Sequence, residues 1–316
     1  MTQRDIYDPG LFAGPATYMG VPYSHDLTDA KAAILGVPFD CGRHPSRIGA
    51  RSGPSAIRQQ SPLVRELLND AGLDPLAELG VVDCGDVRVT PGVIESSFAN
   101  IEAAVHRIAA AGVVPVTMGG DGAVTLPQLR ALHRVHGKLC VLHFDAHTDT
   151  YEGSGADTYN NATTFTRAAE EGIVDVANSI HVGCRGPVDI ERIAGTTRGH
   201  GYALIDAREF FRRGNADSIA PILQRLAGRP VYLCFDMDFF DPSVAPGVCT
   251  PTWGGASARE GIELLRALVG LRLVAIDVNT VSPPHDFNGQ TAFLAAQVML
   301  EAIALVARGR RNAPAD

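Results

Sequence analysis

Short apolar runs, most of them with an aspartate at or beside their end, alternate with stretches of helical periodicity along nearly the whole chain, and this rhythm constrains the fold most tightly. Runs at 32–40, 80–87, 113–120, 138–147, 179–184, 202–206, 230–238 and 272–279 are nearly continuous in apolar character. Strands buried on both faces read that way, because neither face is left for water. Between them, Ile57, Leu63, Val64 and Leu67 recur at helical spacing over 53–71, and 94–112 is an amphipathic helix ending at Gly112. A final segment, 291–309, is apolar on more than one face. The alternation predicts an α/β fold of three layers, α/β/α, with a mostly parallel central sheet. With 316 residues and no linker, repeat or low-complexity stretch, one domain over 1–316 is expected, with 1–30 as an N-terminal extension.

Charge and cysteine usage narrow the function. A formal net charge of -8 leaves no broad basic surface, so neither nucleic acid nor an anionic membrane is an expected partner. No uninterrupted apolar run approaches the ~18 residues of a spanning helix. The start of the chain is polar and rich in Gly and Pro, unlike a secretion signal. Cysteines 41, 84, 140, 184, 234 and 249 stand singly, several inside apolar runs, and read as buried free thiols of a cytoplasmic protein.

Acidic residues gather where the strands end: Asp40, Asp86, Asp121, Asp145, Asp236, Asp238 and Asp277. Ligand sites of open parallel sheets form beyond those carboxyl ends. One such aspartate is ordinarily a solvated loop acid. Two segments exceed that reading: "HFDAHTDTY" (143–151), with Asp145, His147 and Asp149, and "CFDMDFFDPSVAPG" (234–247), with Asp236, Asp238 and Asp241. In extended chain, alternate side chains share a face, so both D-x-H-x-D and D-x-D aim their donors together. Oxygen and imidazole donors suit Mn²⁺, Ni²⁺, Fe²⁺ or Zn²⁺. No G-x-S-x-G and no Cys/His pairing supports nucleophilic hydrolysis instead. His143, deeper in its strand, reads as a packed histidine, and His285, after two prolines, as a loop residue without a role.

These motifs carry a resemblance. "GGD" (119–121), "DAHTD" (145–149), "FDMDFFDPSVAPG…TPTWGG" (235–255), "ILGVPFDCG…GARSGPSAIR" (34–58) and "VGCRG" (182–186) resemble the ureohydrolases, the arginase and agmatinase family, on its agmatinase and guanidinobutyrase branch. The resemblance implies an arginase-like fold and hydrolysis of a guanidino group to urea by two bridged divalent ions. By the same resemblance, Asp145 and Asp236 would bridge, one ion would also take His147 and Asp238, and the other Asp149 and a histidine directly after GGD. That histidine is Gly122 here. Two further departures accompany it. Asn161 stands where the family carries a proton-moving histidine, and an amide relays no proton at neutral pH. Thr280 stands where a glutamate would pair with the guanidinium, and a hydroxyl forms no bidentate ion pair.

Metal ligand, proton carrier and substrate anchor thus fail together, leaving no intact catalytic set. Two carboxylates ~4 Å apart repel by about 4 kcal/mol at an effective dielectric near 20. Either one retained ion, Ni²⁺ or Mn²⁺, or no ion with raised aspartate pKa values is therefore expected. The chain resembles the degraded chain of bacterial two-chain hydrolases of metformin, in which a nickel-bearing chain works beside it. The implied partner is a homologous catalytic ureohydrolase subunit in a trimer- or hexamer-type assembly acting on a small guanidino substrate. Two alternatives stand beside this reading: an active amidinohydrolase with a single-metal or altered centre, and a homomeric binding or regulatory protein.

Overall fold

The computed structural model describes residues 14–311 other than 45, 65–73, 91–92 and 188. Eight strands form one sheet: β1 (Ala32–Gly36), β2 (Val82–Asp86), β3 (Val114–Met118), β4 (Cys140–Phe144), β5 (Ile180–Val182), β6 (Ala203–Ile205), β7 (Pro230–Asp236) and β8 (Arg272–Asn279). Their order is β2-β1-β3-β8-β7-β4-β5-β6, and every pairing between them is parallel. Each of the eight apolar runs supplied one strand.

Helices cover both faces, and strand alternation decides which residues meet which layer. Ile34, Leu142 and Leu233 pack into one apolar cluster with α1 (Gly53–Gln60), α7 (Ala207–Leu226), α8 (Ala258–Ala267) and α9 (Gln290–Arg311). Their neighbours Leu35, Val141 and Tyr232 pack into the other with α3 (Ile94–Ala110), α4 (Thr125–His136) and α5 (Thr164–Glu170). This is the three-layer arrangement with a period-2 switch between layers. Two further helices, α2 (Pro75–Glu78) and α6 (Ile190–Gly199), complete the described set.

α9 is long and apolar enough to cross a membrane by length and composition alone, yet 83% of its most apolar window is buried inside the fold. Its one buried acid, Glu301, is met by Arg266 at 2.6 Å. α9 is thus the central helix of one layer. The helix expected over 53–71 ends early. α1 stops at Gln60, a tight turn Ser61–Leu63 follows, and Val64 is extended. Pro62 lies inside that turn and has no N–H to continue the ladder. Residues 65–71 of the expected helix lie outside the described residues. All six cysteines are free, four of them buried and Cys41 and Cys84 half-buried.

Four strands lie side by side at the middle of the sheet, β3, β8, β7 and β4, and their carboxyl ends carry 119–122, 279–280, 236–238 and 145–149. The turn off β3 needs its two glycines. Gly119 and Gly120 have φ of 81° and 77°. A Cβ on Gly120 would lie 2.6 Å from Val124 Cγ1 and 2.8 Å from the Val37 carbonyl oxygen. Left-handed backbone plus contact with main chain predicts that Gly120→Ala destabilises the chain by at least the roughly 1–3 kcal/mol typical of backbone strain, measured by urea unfolding. A loss below about 0.5 kcal/mol would show that the turn adapts.

Candidate metal centre

β4 and β7 deliver the donors. Asp145 directly follows β4 and is 1% exposed. Its Oδ1 accepts from the backbone N–H of His147 at 2.7 Å and lies 3.1 Å from His147 Nδ1. Asp236 ends β7, and Met237–Phe239 forms a 3₁₀ turn with Asp236 as its N-cap. That turn swings Asp238 across to β4, where Oδ1 accepts from Ala146 N at 3.1 Å and Oδ2 lies 3.4 Å from His147 Nδ1. Asp145, His147 and Asp238 thereby offer ligand atoms that all lie within 4.8 Å of one another. A second trio, His143, Asp145 and Asp149, meets the same limit and is wholly buried.

The two aspartate motifs do not behave as extended strands would. Asp149 has φ of 49°, so the chain turns before it and the residue leaves the face shared by Asp145 and His147. Asp236 belongs to neither trio. Its Oδ1 accepts from Thr280 Oγ1 in a short contact and from Asp238 N at 3.3 Å. The five expected ligands thus gather at one end of the sheet, but as two groups hinged on Asp145, with Asp236 held by a hydroxyl.

The three departures converge there as well. Gly122 opens a 3₁₀ turn, Gly122–Val124, and its φ is outside the left-handed region, so the backbone does not demand glycine. A Cβ at 122 would meet Asp149 Oδ2 at 3.1 Å and Asn161 Cβ at 3.5 Å. Asn161 sits in the turn Asn161–Thr163 and its Oδ1 accepts from Cys41 Sγ at 3.6 Å. Thr280, a β-branched residue at φ of 66°, is tied by its N–H to the Gly120 carbonyl at 2.8 Å.

Other strand-end acids organise loops. Asp40 accepts from the N–H groups of Gly42, Gly49 and Ala50, and Asp241 from those of Ser243, Gly254 and Gly255. Asp86 pairs with Arg58 at 2.5 Å. Asp121 accepts from Cys41 N at 2.7 Å and Ala123 N at 3.1 Å. Asp277 is fully buried beneath the site, taking hydrogen bonds from Thr125, Tyr232 and Thr117 at 2.6, 2.8 and 3.0 Å. His285 is half-buried in the turn Pro283–His285 and joins neither trio.

Two residues of the site went unread in the sequence. His181, opposite His143 in the β4–β5 register, places its Nδ1 2.8 Å from His143 Nδ1. Arg185, inside the quoted VGCRG segment, is buried and donates to the carbonyls of Asp238, Phe240, Thr252 and Gly183, clamping the loop after β7. The signal for Arg185 was its place beside a strand end. For His181 there was none without the register.

Crowding perturbs the four central carboxylates. Burial and the Asp145 charge push Asp238 up to about 7. Burial, then Asp145, raises Asp149 well above the carboxylate range, and burial with Asp238 does the same to Asp236. Burial alone would raise Asp145, but the imidazoles of His143 and His147 hold it well below its ordinary value. His147 moves the other way: burial disfavours its charge, yet Asp238 and Asp145 raise it well above 6.5. An imidazolium thus stands amid the carboxylates where a cation would. Asp145 Oδ2 is buried and meets no hydrogen bond of good geometry, with His143 Nε2 3.1 Å away. A bare carboxylate oxygen beside two N/O donor groups fits a divalent ion.

Residues 30–305 match the arginase family. The chain belongs to the arginase family. It is 35% identical over 298 residues to a guanidinobutyrase of Pseudomonas aeruginosa, covering 93% of each chain. It is 37% identical over 300 residues to an agmatinase of Serratia proteamaculans, covering 94% of this chain and 93% of that one. Among solved structures, proclavaminate amidino hydrolase from Streptomyces clavuligerus superimposes with a TM-score of 0.89 at 33% identity, over 94% of this chain and 98% of that one. The family and the fold expected from the motifs are therefore both found.

A pH dependence follows from the perturbed acids of this arginase-family site. Folded Asp238 keeps its proton up to about 7, whereas the unfolded side chain releases it near 3.8. The stability so contributed is complete below the unfolded value and is lost as pH rises through the folded one. His147, raised above 6.5, adds a loss in the same direction at higher pH. The melting temperature of the ion-free chain is expected to fall between about pH 4 and pH 7, and Asp238→Asn to flatten part of that slope. Mn²⁺ should raise the melting temperature more at pH 8 than at pH 5, because ligands shed protons on binding. Stabilisation by Mn²⁺ that ignores pH would contradict this account.

Proposed function

We propose that this chain is the non-catalytic, supporting subunit of a heteromeric guanidino or biguanide hydrolase that releases urea, of the metformin hydrolase type. The observation that carries the reading is convergence. Gly122 leaves its ligand position to Asp149, Asn161 lies against the same spot, and Thr280 caps Asp236. One cup, Asp145, His147 and Asp238, keeps the donors for a Ni²⁺ or Mn²⁺ ion. When bound, such an ion supplies Lewis-acid polarisation of water. Around it, this chain offers no proton carrier at 161 and no carboxylate at 280 to orient a guanidinium. Loss of a general acid alone costs about 10²–10⁴ in rate. The partner would be a homologous chain with histidine after its GGD, joined in a trimer- or hexamer-type cytoplasmic assembly.

The retained trio favours a second reading, an active amidinohydrolase with a single ion. Urea release separates the two. The pure chain, supplied with Mn²⁺ or Ni²⁺, is expected to release no urea from agmatine, guanidinobutyrate or metformin. Co-expression with a complete homologous chain is expected to give a stable mixed complex that turns over one of them. Appreciable turnover by the pure chain would favour the single-ion enzyme, and failure to co-purify would favour a homomeric binding protein.

Gly122→His restores one of three losses. Since the backbone at 122 accepts a side chain once Asp149 yields a few tenths of an ångström, the variant is expected to bind Mn²⁺ more tightly while urea release stays at background. Calorimetric titration and a urea assay read the two effects. Brisk turnover by this single variant would remove the case for a supporting role.

A further inference from the structure

We infer that His143 is a metal ligand in this chain, closing a second, fully buried cation cup with Asp145 and Asp149 that makes no use of position 122. The inference rests on reading the site as a metal centre and adds a ligand and a geometry to it.

Asp145 presents its two oxygens to different neighbours. Oδ1 faces His147 at 3.1 Å, and Oδ2 faces His143 Nε2 at 3.1 Å. The Oδ2 atom is buried and lacks a hydrogen-bond partner, although its side chain is 1% exposed. An orphaned carboxylate oxygen is costly unless something electropositive meets it. Asp149 brings a carboxylate to the same point, within 4.8 Å of the other two ligand atoms. Metal–nitrogen and metal–oxygen bonds of about 2.0–2.2 Å hold donors roughly 3–4 Å apart, a spacing the trio reaches by drawing inward on an ion.

The back of His143 is already braced. Its Nδ1 lies 2.8 Å from His181 Nδ1, and Phe165 packs against both rings with centroids 4.5 and 4.9 Å away. One proton lies between the two Nδ1 atoms. With it on His143, Nε2 is left free to bind an ion, which is how an outer partner ordinarily sets the tautomer of a ligating imidazole. His181 is here a positioning residue. Asp149 leaves the Asp145–His147 face through its left-handed backbone, which brings it to the His143 side. The lost loop ligand is thereby replaced from within the strand, on the buried side of Asp145.

Stoichiometry tests this without any assay of turnover. The full chain, stripped of metal, is titrated with Mn²⁺ by calorimetry and by electron paramagnetic resonance. Wild type is expected to bind two ions. His143→Gln and Asp149→Asn should each lose one and keep the other, while Asp238→Asn should lose the other one. His181→Asn should weaken the His143 ion by about 10–100-fold, the usual effect of removing an outer partner. Circular dichroism and the melting temperature show whether the His143 variant folds, and Asp149→Asn, outside the strand, gives the same readout if it does not. Wild-type stoichiometry in both variants, or a single ion abolished only by Asp238→Asn, overturns the inference. A chain that binds no ion also overturns it, yet leaves co-assembly with a catalytic chain to its own test.

Discussion

Mutual repulsion among buried carboxylates is the constraint around which this structure is organised. Asp145, Asp149, Asp236 and Asp238 are all buried at the ends of two adjacent strands. At separations near 4 Å each pair would cost about 4 kcal/mol at an effective dielectric of 20, more than most single contacts return. The surroundings supply what offsets it. Backbone N–H groups of Ala146, His147 and Asp238 each donate to one of these carboxylates. The Arg185 guanidinium ties down the carbonyls of the loop that carries Asp238. His147 lies between Asp145 and Asp238, and both favour its protonated form. A divalent ion does the same work at shorter range, which is why an imidazolium and a cation compete for the same place.

Much of the fold was legible because central parallel strands must be apolar on both faces. The eight runs became eight strands for that reason, and their alternation sorted Ile34 from Leu35 and Leu142 from Val141 into opposite layers. What stayed hidden depends on partners distant in sequence. Asp40, Asp86, Asp241 and Asp277 carry the same strand-end signature as Asp145 and Asp236. Only the tertiary fold shows that Arg58, Tyr232 or loop N–H groups engage them. Within the described residues the helix expected from Gly53 stops at Gln60 for a local reason, the proline inside the turn after it.

Within the site, residue types were readable and their grouping was not. Period-2 reasoning holds only while the backbone stays extended. It fails at Asp149, where φ turns positive, and at Asp238, which lies in a 3₁₀ turn. Those two local bends decide that Asp238 crosses to His147 while Asp149 departs from it. His143 was legible as packed, and it is packed, but the β4–β5 register that sets it against His181 is not written in either strand alone.

The three departures also form a structural set. Removing the side chain at 122 leaves room that Asp149 and Asn161 occupy, so no void is opened beside the buried acids. Placing a hydroxyl at 280, where the family's pattern implies a carboxylate, removes one negative charge from the crowd and adds a donor for Asp236. The cost is a β-branched residue in left-handed backbone, of order 1–3 kcal/mol. That strain is sustained because Thr280 is held from both sides, by the Gly120 carbonyl and by Asp236. The hydroxyl at 280 thereby eases the repulsion around Asp236 at the expense of local backbone strain.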